Sequence, residues 1–155
     1  MSITIEDVTG PELVSTDLAA TTAREAVDEL TGLLEQAGRV TDRTAFVEVV
    51  MAREEETGGT GMESGIAIPH GKSPAVERAS FAFGRSADGV DFGAEDGTPA
   101  DLIFLIAAPE GEDDLHVTLL SRLARKLIHQ KFRTALREAD SADAVFTTIK
   151  QEVEL

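Results

Sequence analysis

The sequence predicts an α/β domain in which helices cover both faces of a sheet. Helical patterns occur before, between and after the predicted strands, which is the arrangement of a layered α/β fold. Residues 101–108 form a continuous apolar run between Pro99 and Pro109, as expected for a strand buried on both faces. The 155 residues are 42% hydrophobic, enough for the core of a single domain over residues 1–155.

The helices are indicated by apolar spacing and by capping residues. Thr22 and Glu25 match a capping box that begins a helix, and Gly38 stands where such a helix ends. A second helix is predicted over about 42–56. Three more are predicted: one capped by Asp113 or Asp114, one over about 131–139, and one over about 142–153 with Ser141 as its cap.

Short strands are predicted between these helices. Ile66–Ile68 form an apolar strand that Pro69 ends, and residues 79–84 alternate as in a half-buried strand. Val90–Phe92 and residues 3–8 are predicted as two further short extended segments.

The charge of the chain excludes several kinds of partner. There are 29 acidic and 14 basic residues, a formal net charge of −15. Such a surface repels nucleic-acid phosphates and anionic lipids, so we expect neither as a partner. No apolar run approaches the ~20 residues of a membrane span, and the acidic N-terminus is unlike a signal peptide. We therefore expect a cytoplasmic protein without membrane insertion.

Two further features of the composition are informative. The chain has no cysteine, which excludes disulfides, thiolate metal sites and a cysteine nucleophile. Only four of the 14 basic residues are lysine, and the excess of acid is large. This pattern favours a protein from a halophile, where high salt screens the self-repulsion; an ordinary acidic protein is the alternative.

His70 is the first candidate for a reactive group. In the segment GIAIPHGK it directly follows the predicted buried strand, and Gly71 permits another backbone or a ligand to approach closely. Reactive side chains of α/β folds are commonly placed where a strand ends, so His70 is predicted in a turn at such an end. A hydrogen-bonded turn histidine without a chemical role is the alternative.

Arg53 and His116 are two more candidates. Arg53 continues an apolar stripe of Phe46, Val49 and Val50, so its guanidinium requires an anionic or carbonyl partner; an internal salt bridge is the alternative. His116 is predicted in the first turn of a helix, where backbone N–H groups and the helix dipole attract anions. A core histidine bonded to a backbone carbonyl is the alternative there.

These residue types suit phosphoryl chemistry better than the other reactions considered. The sequence has no HExxH motif, Walker loop or GxSxG elbow, and catalytic zinc usually takes three protein ligands. A neutral imidazole can attack phosphorus and hold the group as phosphohistidine, while an arginine and a second histidine balance its charge. Spacing alone does not decide the matter. His129, near a helix end, is interpreted as structural.

Two segments together resemble a known family. GIAIPHGKSPAVERASFAFGRSADGVDF and DGTPADLIFLIAAPEGEDDLHVTLLSRLARKL are similar to the type-2 enzyme IIA domain of the bacterial sugar phosphotransferase system, the fructose-type branch in particular. The resemblance extends from the first helix to about Ile149 and is most specific over 65–128. It implies a three-layer α/β/α sandwich with a mixed sheet and no metal or organic cofactor.

The resemblance also implies a role for each of the three candidates. His70, in the PHG motif, accepts a phosphoryl group from the histidine phosphocarrier protein and passes it to a cysteine of the sugar-specific IIB component. His116 stabilises the imidazole and the phosphoryl group, and Arg53 binds the phosphate. Because this chain has no cysteine, the acceptor lies on another chain.

Two other functions remain possible on the same fold. A regulatory IIA paralogue would carry the same phosphohistidine but signal by binding a target protein. A binding module that is never phosphorylated would not need His70. The flanking segments GKSPAV and FGRSADGVDF resemble the fructose branch more than the regulatory one. For a carrier we expect a partly apolar docking surface around His70.

Overall fold

A mixed sheet forms the centre of the molecule. The computed structural model describes residues 4–111 and 115–154, the side chains of residues 115 and 116 excepted. Helices pack on both faces of this sheet, so the three-layer α/β/α sandwich is confirmed. No helix in the described ranges has the length and hydropathy needed to cross a bilayer.

The described helices and strands occur in groups along the chain, with five successive strands between one pair of helices and a final group of three. In chain order they are α1 Ile5–Val8, β1 Val14–Ser15, α2 Ala23–Gln36, α3 Arg43–Thr57, β2 Gly61–Met62, β3 Ile66–Ala67, β4 His70–Ser73, β5 Ser80–Val90, β6 Ala100–Pro109, α4 Leu115–Leu127, α5 Gln130–Glu138 and α6 Ala142–Glu152. A short 3₁₀ helix, Pro11–Leu13, precedes β1.

Strand β6 is the central strand of the sheet. The order is β1-β5-β6-β3-β2, and β4 pairs with β6 beside β3. β5 is antiparallel to β6, whereas β3 and β4 are parallel to it. Residues 102–109 are buried without interruption, which confirms the strand predicted from the apolar run.

The two faces of the sheet carry separate apolar cores. Helices α2 and α3 cover one face, where Leu30, Phe46 and Val50 pack against residues of β5 and β6. Helices α1, α4, α5 and α6 contribute to the core on the other face, which includes Phe104 and Leu123. The elements that bear Arg53 and His116 therefore lie on opposite faces of the sheet.

The predicted helix caps are largely confirmed. Thr22 Oγ1 accepts a hydrogen bond from the Glu25 N–H at 3.2 Å, and Ser141 Oγ accepts one from Ala144 at 3.0 Å. Gly38 has a φ of 74°, the left-handed conformation that ends α2. The predicted caps Asp113 and Asp114 lie outside the described residues.

Two predictions about extended segments are wrong. Residues Ile5–Val8 are helical, because the Thr4 N–H donates to the Asp7 carboxylate at 2.8 Å and so begins a helical turn. Val90–Phe92 is not a separate strand. The strand begun at Ser80 continues to Val90, with an irregular register after Arg85.

Candidate functional site

His70 lies in a strand that Pro69 interrupts but does not end. β3 pairs with β6 from Ile66 opposite Leu102, and β4 continues the same register from His70 opposite Ile106. Pro69 has no N–H to donate, but its carbonyl still accepts a hydrogen bond from Ile106 at 3.0 Å. The prediction of a turn at His70 is therefore wrong, since the parallel pairing with β6 resumes immediately after the proline.

Gly71 allows helix α3 to pack directly onto β4. A Cβ atom at this position would lie 2.9 Å from Val50 Cγ2 and 3.2 Å from Val49 Cγ1. The first distance is closer than side-chain carbons approach without a shift of the helix or the strand. The close packing brings the last turns of α3 beside His70, and Arg53 is in one of those turns.

The hydrogen bonds of His70 define its tautomer. Nδ1 lies 2.9 Å from the carbonyl oxygen of Ile68, which can only accept, so Nδ1 carries the proton. Nε2 therefore has a lone pair, and Arg53 Nε donates a hydrogen bond to it at 3.1 Å. Nε2 is consequently the nitrogen of this half-buried ring that is able to act as a nucleophile.

Arg53 contacts His70 from the exposed side of α3. Its partner is an imidazole nitrogen, neither the anion nor the carbonyl that the sequence suggested. Among the described residues Arg53 forms no ion pair, and its Nη atoms make no hydrogen bond. Both Nη groups can therefore donate to an anion that arrives at His70.

Residue Glu54 is a site feature that the sequence analysis missed. The buried positions of α3 are Phe46, Val47, Val50 and Glu54, whereas Val49 is 36% exposed. The predicted stripe was thus rotated by part of a turn. Glu54 follows Val50 by four residues and Val47 by seven, and that helical spacing is the signal that could have identified it.

The carboxyl group of Glu54 holds the segment that follows α3. Its Oε1 atom accepts hydrogen bonds from the Thr60 N–H at 3.2 Å and from Thr60 Oγ1 at 3.1 Å. Burial raises the pKa of Glu54, and the bonds from Thr60 act in the opposite direction, as a positive charge on His70 would. The other oxygen, Oε2, is buried and has no hydrogen-bond partner among the described residues.

The structure describes His129 in full but only the backbone of His116. His116 is in the first turn of α4, as predicted, but its side chain lies outside the described residues, so its role stays a prediction. His129 is exposed and occupies the N-cap position of α5, where its carbonyl accepts a hydrogen bond from the Phe132 N–H at 3.1 Å. It lies beyond the end of α4, not within that helix.

One apolar side chain beside the site reaches solvent. Val49, one turn before Arg53 and next to the Cβ position of Gly71, is 36% exposed. No group of three or more His, Asp or Glu side chains in the described part of the chain is placed to hold a metal ion.

The fold and the site together define a class of protein. An α/β/α sandwich that presents an imidazole nucleophile beside an arginine is suited to carry a phosphoryl group. The sequence profile of the family described as "Phosphoenolpyruvate-dependent sugar phosphotransferase system, EIIA 2" matches residues 7–152. The chain belongs to this family, and the resemblance seen in the sequence is confirmed.

Named relatives agree with this assignment. The chain is 40% identical over 150 residues to the "PTS system fructose-specific EIIA component" of Haloferax volcanii, with 97% of each chain covered. It is 45% identical over 125 residues to the "PTS system fructose-specific EIIABC component" of Bacillus subtilis. That match covers 81% of this chain but only 20% of the Bacillus protein, so the chain corresponds to one part of that larger protein.

A solved structure shows the same fold. The Nitrogen Regulatory Protein IIA-Ntr of Neisseria meningitidis is 32% identical to this chain and superposes with a TM-score of 0.85. The superposition covers 94% of this chain and 98% of that protein. The predicted α/β/α architecture is thus that of a solved relative.

Proposed function

We propose that this chain carries a phosphoryl group on His70 within a sugar phosphotransferase system. The donor is the histidine phosphocarrier protein, and the acceptor is a cysteine of a IIB component for a fructose-type sugar. The observation that carries the proposal is that Nε2 of His70 is unprotonated and accepts a hydrogen bond from Arg53 Nε at 3.1 Å. The names of the Haloferax and Bacillus relatives support fructose as the sugar.

Transfer to His70 requires no proton to leave the ring. The Nδ1 proton is held by the Ile68 carbonyl, so the Nε2 lone pair is ready to attack phosphorus in line with the leaving nitrogen of the donor. The new N–P bond forms as the donor's N–P bond breaks. The carbonyl of Ile68 then stabilises the partial positive charge that develops on the phosphorylated imidazole.

Arg53 changes partner during this step. In the free protein it donates to Nε2, and this hydrogen bond is lost once Nε2 is bonded to phosphorus. The guanidinium is then positioned to donate to the phosphoryl oxygens. The backbone N–H groups at the start of α4, together with His116, are proposed to provide further positive potential.

Onward transfer breaks the N–P bond that the first transfer formed. A cysteine thiolate of the IIB component attacks the phosphorus atom, the S–P bond forms, and the bond to Nε2 breaks. Both partners must reach the same nitrogen, so they bind in turn. The exposed Val49 side chain beside Gly71 supports an apolar contribution to this binding, which high salt does not screen.

The direct test is to mix the chain with the charged phosphocarrier protein and to measure its mass and its 31P–15N couplings. We expect one added phosphoryl group, bonded to Nε2 of His70, which a fructose-type IIB component then removes. A protein that gains no phosphoryl group would refute the proposal. A group bonded to Nδ1 would contradict the tautomer assigned here.

A regulatory function is the second candidate, and the Neisseria structure supports it because that protein is named as nitrogen regulatory. A regulatory protein would be phosphorylated at the same nitrogen but would release the group to no fructose-type IIB component. It would instead bind a target protein in only one of its two phosphorylation states. The rate at which IIB removes the phosphoryl group therefore separates the two functions.

Substitution of Gly71 tests whether close packing of α3 is needed for transfer. We expect Gly71→Ala to lower the free energy of unfolding by about 1–3 kcal/mol, because the added methyl group meets Val50. It should also slow phosphorylation of His70, because α3 moves Arg53 away from Nε2. Urea unfolding and the transfer rate measure the two effects.

A second substitution provides the control for this prediction. Val50→Ala in the Gly71→Ala background removes the Cγ2 atom that the new methyl group meets. The double variant should recover part of the transfer rate. Its loss of unfolding free energy should be smaller than the sum of the losses in the two single variants. Unchanged transfer in Gly71→Ala would show that the contact between α3 and β4 does not position Arg53.

A further inference from the structure

Glu54 is a buried acid for which the phosphoryl-transfer steps have no use. Its side chain is 6% exposed, and two hydrogen bonds from Thr60 satisfy only Oε1. The Oε2 atom is buried without a partner among the described residues. A charged carboxylate with an unsatisfied buried oxygen is costly, so this group has a strong tendency to bind a proton.

The position of Glu54 ties it to the reactive histidine. It follows Arg53 directly, and it lies one helical turn after Val50, the residue that packs against the Cβ position of Gly71 beside His70. A positive charge on the His70 ring would lower the pKa of Glu54, but the ring is neutral in the tautomer that its hydrogen bonds define. Phosphorylation places about two negative charges on that ring, and nearby negative charge raises the pKa of a carboxyl group.

We infer that Glu54 takes up a proton when His70 is phosphorylated, so that loading of this chain is coupled to protonation of a buried carboxyl group. The inference rests on the proposed function. In the coupled step the donor's N–P bond breaks, the bond from phosphorus to Nε2 of His70 forms, and the fraction of molecules with a solvent-derived proton on Oε2 of Glu54 rises. The electron pair of the broken bond stays on the donor nitrogen.

Other charged groups surround this carboxyl and have to be considered with it. Arg53 and Glu55 adjoin it on α3, His70 acts from β4, and Arg24 of α2 and Asp91 line the same cleft. Arg24 is paired with Glu48 at 2.5 Å, and Glu55 is exposed. Of these groups, His70 is the one whose charge changes on phosphorylation, so its new negative charge is the cause of the increased protonation of Glu54.

The coupling predicts how the transfer equilibrium depends on pH. A proton that is bound in the phosphorylated form favours phosphorylation at lower pH and disfavours it as the pH rises. The phosphoryl group itself also titrates. The contribution of Glu54 is therefore the difference in the pH dependence of the transfer equilibrium between the native protein and Glu54→Gln. Thr60 can still donate to the amide oxygen of that variant.

The test is a 13C NMR titration of the Glu54 carboxyl in the free protein and in protein kept phosphorylated by excess charged donor. The signal is assigned by its absence in Glu54→Gln, and phosphorylation is verified by mass. We expect proton affinity at Glu54 to rise roughly tenfold on phosphorylation, as a nearby anion causes. An equal midpoint in the two forms would overturn the inference.

The equilibrium of transfer from the donor, measured against pH, provides the second readout. Glu54→Gln should flatten this dependence, whereas Glu56→Gln should leave it as in the native protein, because Glu56 is exposed on the same helix. An unaltered dependence in Glu54→Gln would contradict the coupling. Failure of His70 to gain any phosphoryl group would instead refute the proposed function, so the two failures are distinguishable.

Discussion

Replacing His70 with alanine should abolish phosphorylation of the chain by the charged phosphocarrier protein. In the proposed function the Nε2 lone pair of His70 is the nucleophile, and no cysteine is present to accept the group in its place. His129→Ala removes a histidine that is exposed at the start of α5 and should leave phosphorylation unchanged. Intact-protein mass spectrometry, performed under conditions that preserve phosphohistidine, measures both variants.

Loss of the fold must be excluded as the cause. His70→Ala removes one hydrogen bond to the Ile68 carbonyl and one from Arg53, which together cost about 1–3 kcal/mol. The parallel pairing of β4 with β6 involves backbone atoms and should persist. A folded His70→Ala protein that still gains a phosphoryl group on another histidine would refute the assignment of His70.

Much of the fold could be predicted because its signals are local. The capping box at Thr22 and the apolar run of β6 each depend on a few adjacent residues, and both are confirmed. The two errors in extended segments have different causes. Residues 3–8 were predicted as extended although Thr4 and Asp7 supply a local cap for a helical turn. Val90 instead belongs to β5 because it pairs with Ala100 of β6, which is a contact between two strands.

The site was predictable in its residue types but not in its geometry. A histidine after Pro69 and an arginine on the preceding helix could be selected from the sequence, and the structure brings these two together. The continuation of the strand through Pro69 could not be predicted, because it depends on pairing with β6, which is distant in sequence. Glu54 was missed because a buried acid is contrary to the usual apolar pattern of a core stripe.

The acidity of the chain sharpens the requirement for Arg53. A protein of net charge −15 must accept a group that carries about two more negative charges. The sequence excluded nucleic acids and membrane surfaces on the basis of this charge. The structure adds that an exposed arginine donates to Nε2 of His70 and so provides local positive potential at the proposed phosphorylation site.

Replacing Arg53 with glutamine should slow phosphorylation of His70 by about 10²-fold. Loss of a single donor that stabilises charge in a transition state has an effect of this size. Arg53→Lys should retain an intermediate rate, because lysine supplies the charge but not the planar pair of donors. Rapid-quench measurement of the rate with the charged phosphocarrier protein compares the variants.

Arg24→Gln is the matched control for this prediction, because it removes one exposed arginine and changes the net charge equally. Arg24 is paired with Glu48 on the surface and does not contact His70. Both variants should unfold at nearly the native urea concentration, because exposed substitutions have small effects on stability. If Arg24→Gln slowed transfer as much as Arg53→Gln, net charge and not the hydrogen bond to Nε2 would be the cause. We expect only Arg53→Gln to slow phosphorylation, since of the two arginines only Arg53 lies where it can donate hydrogen bonds to the phosphoryl oxygens.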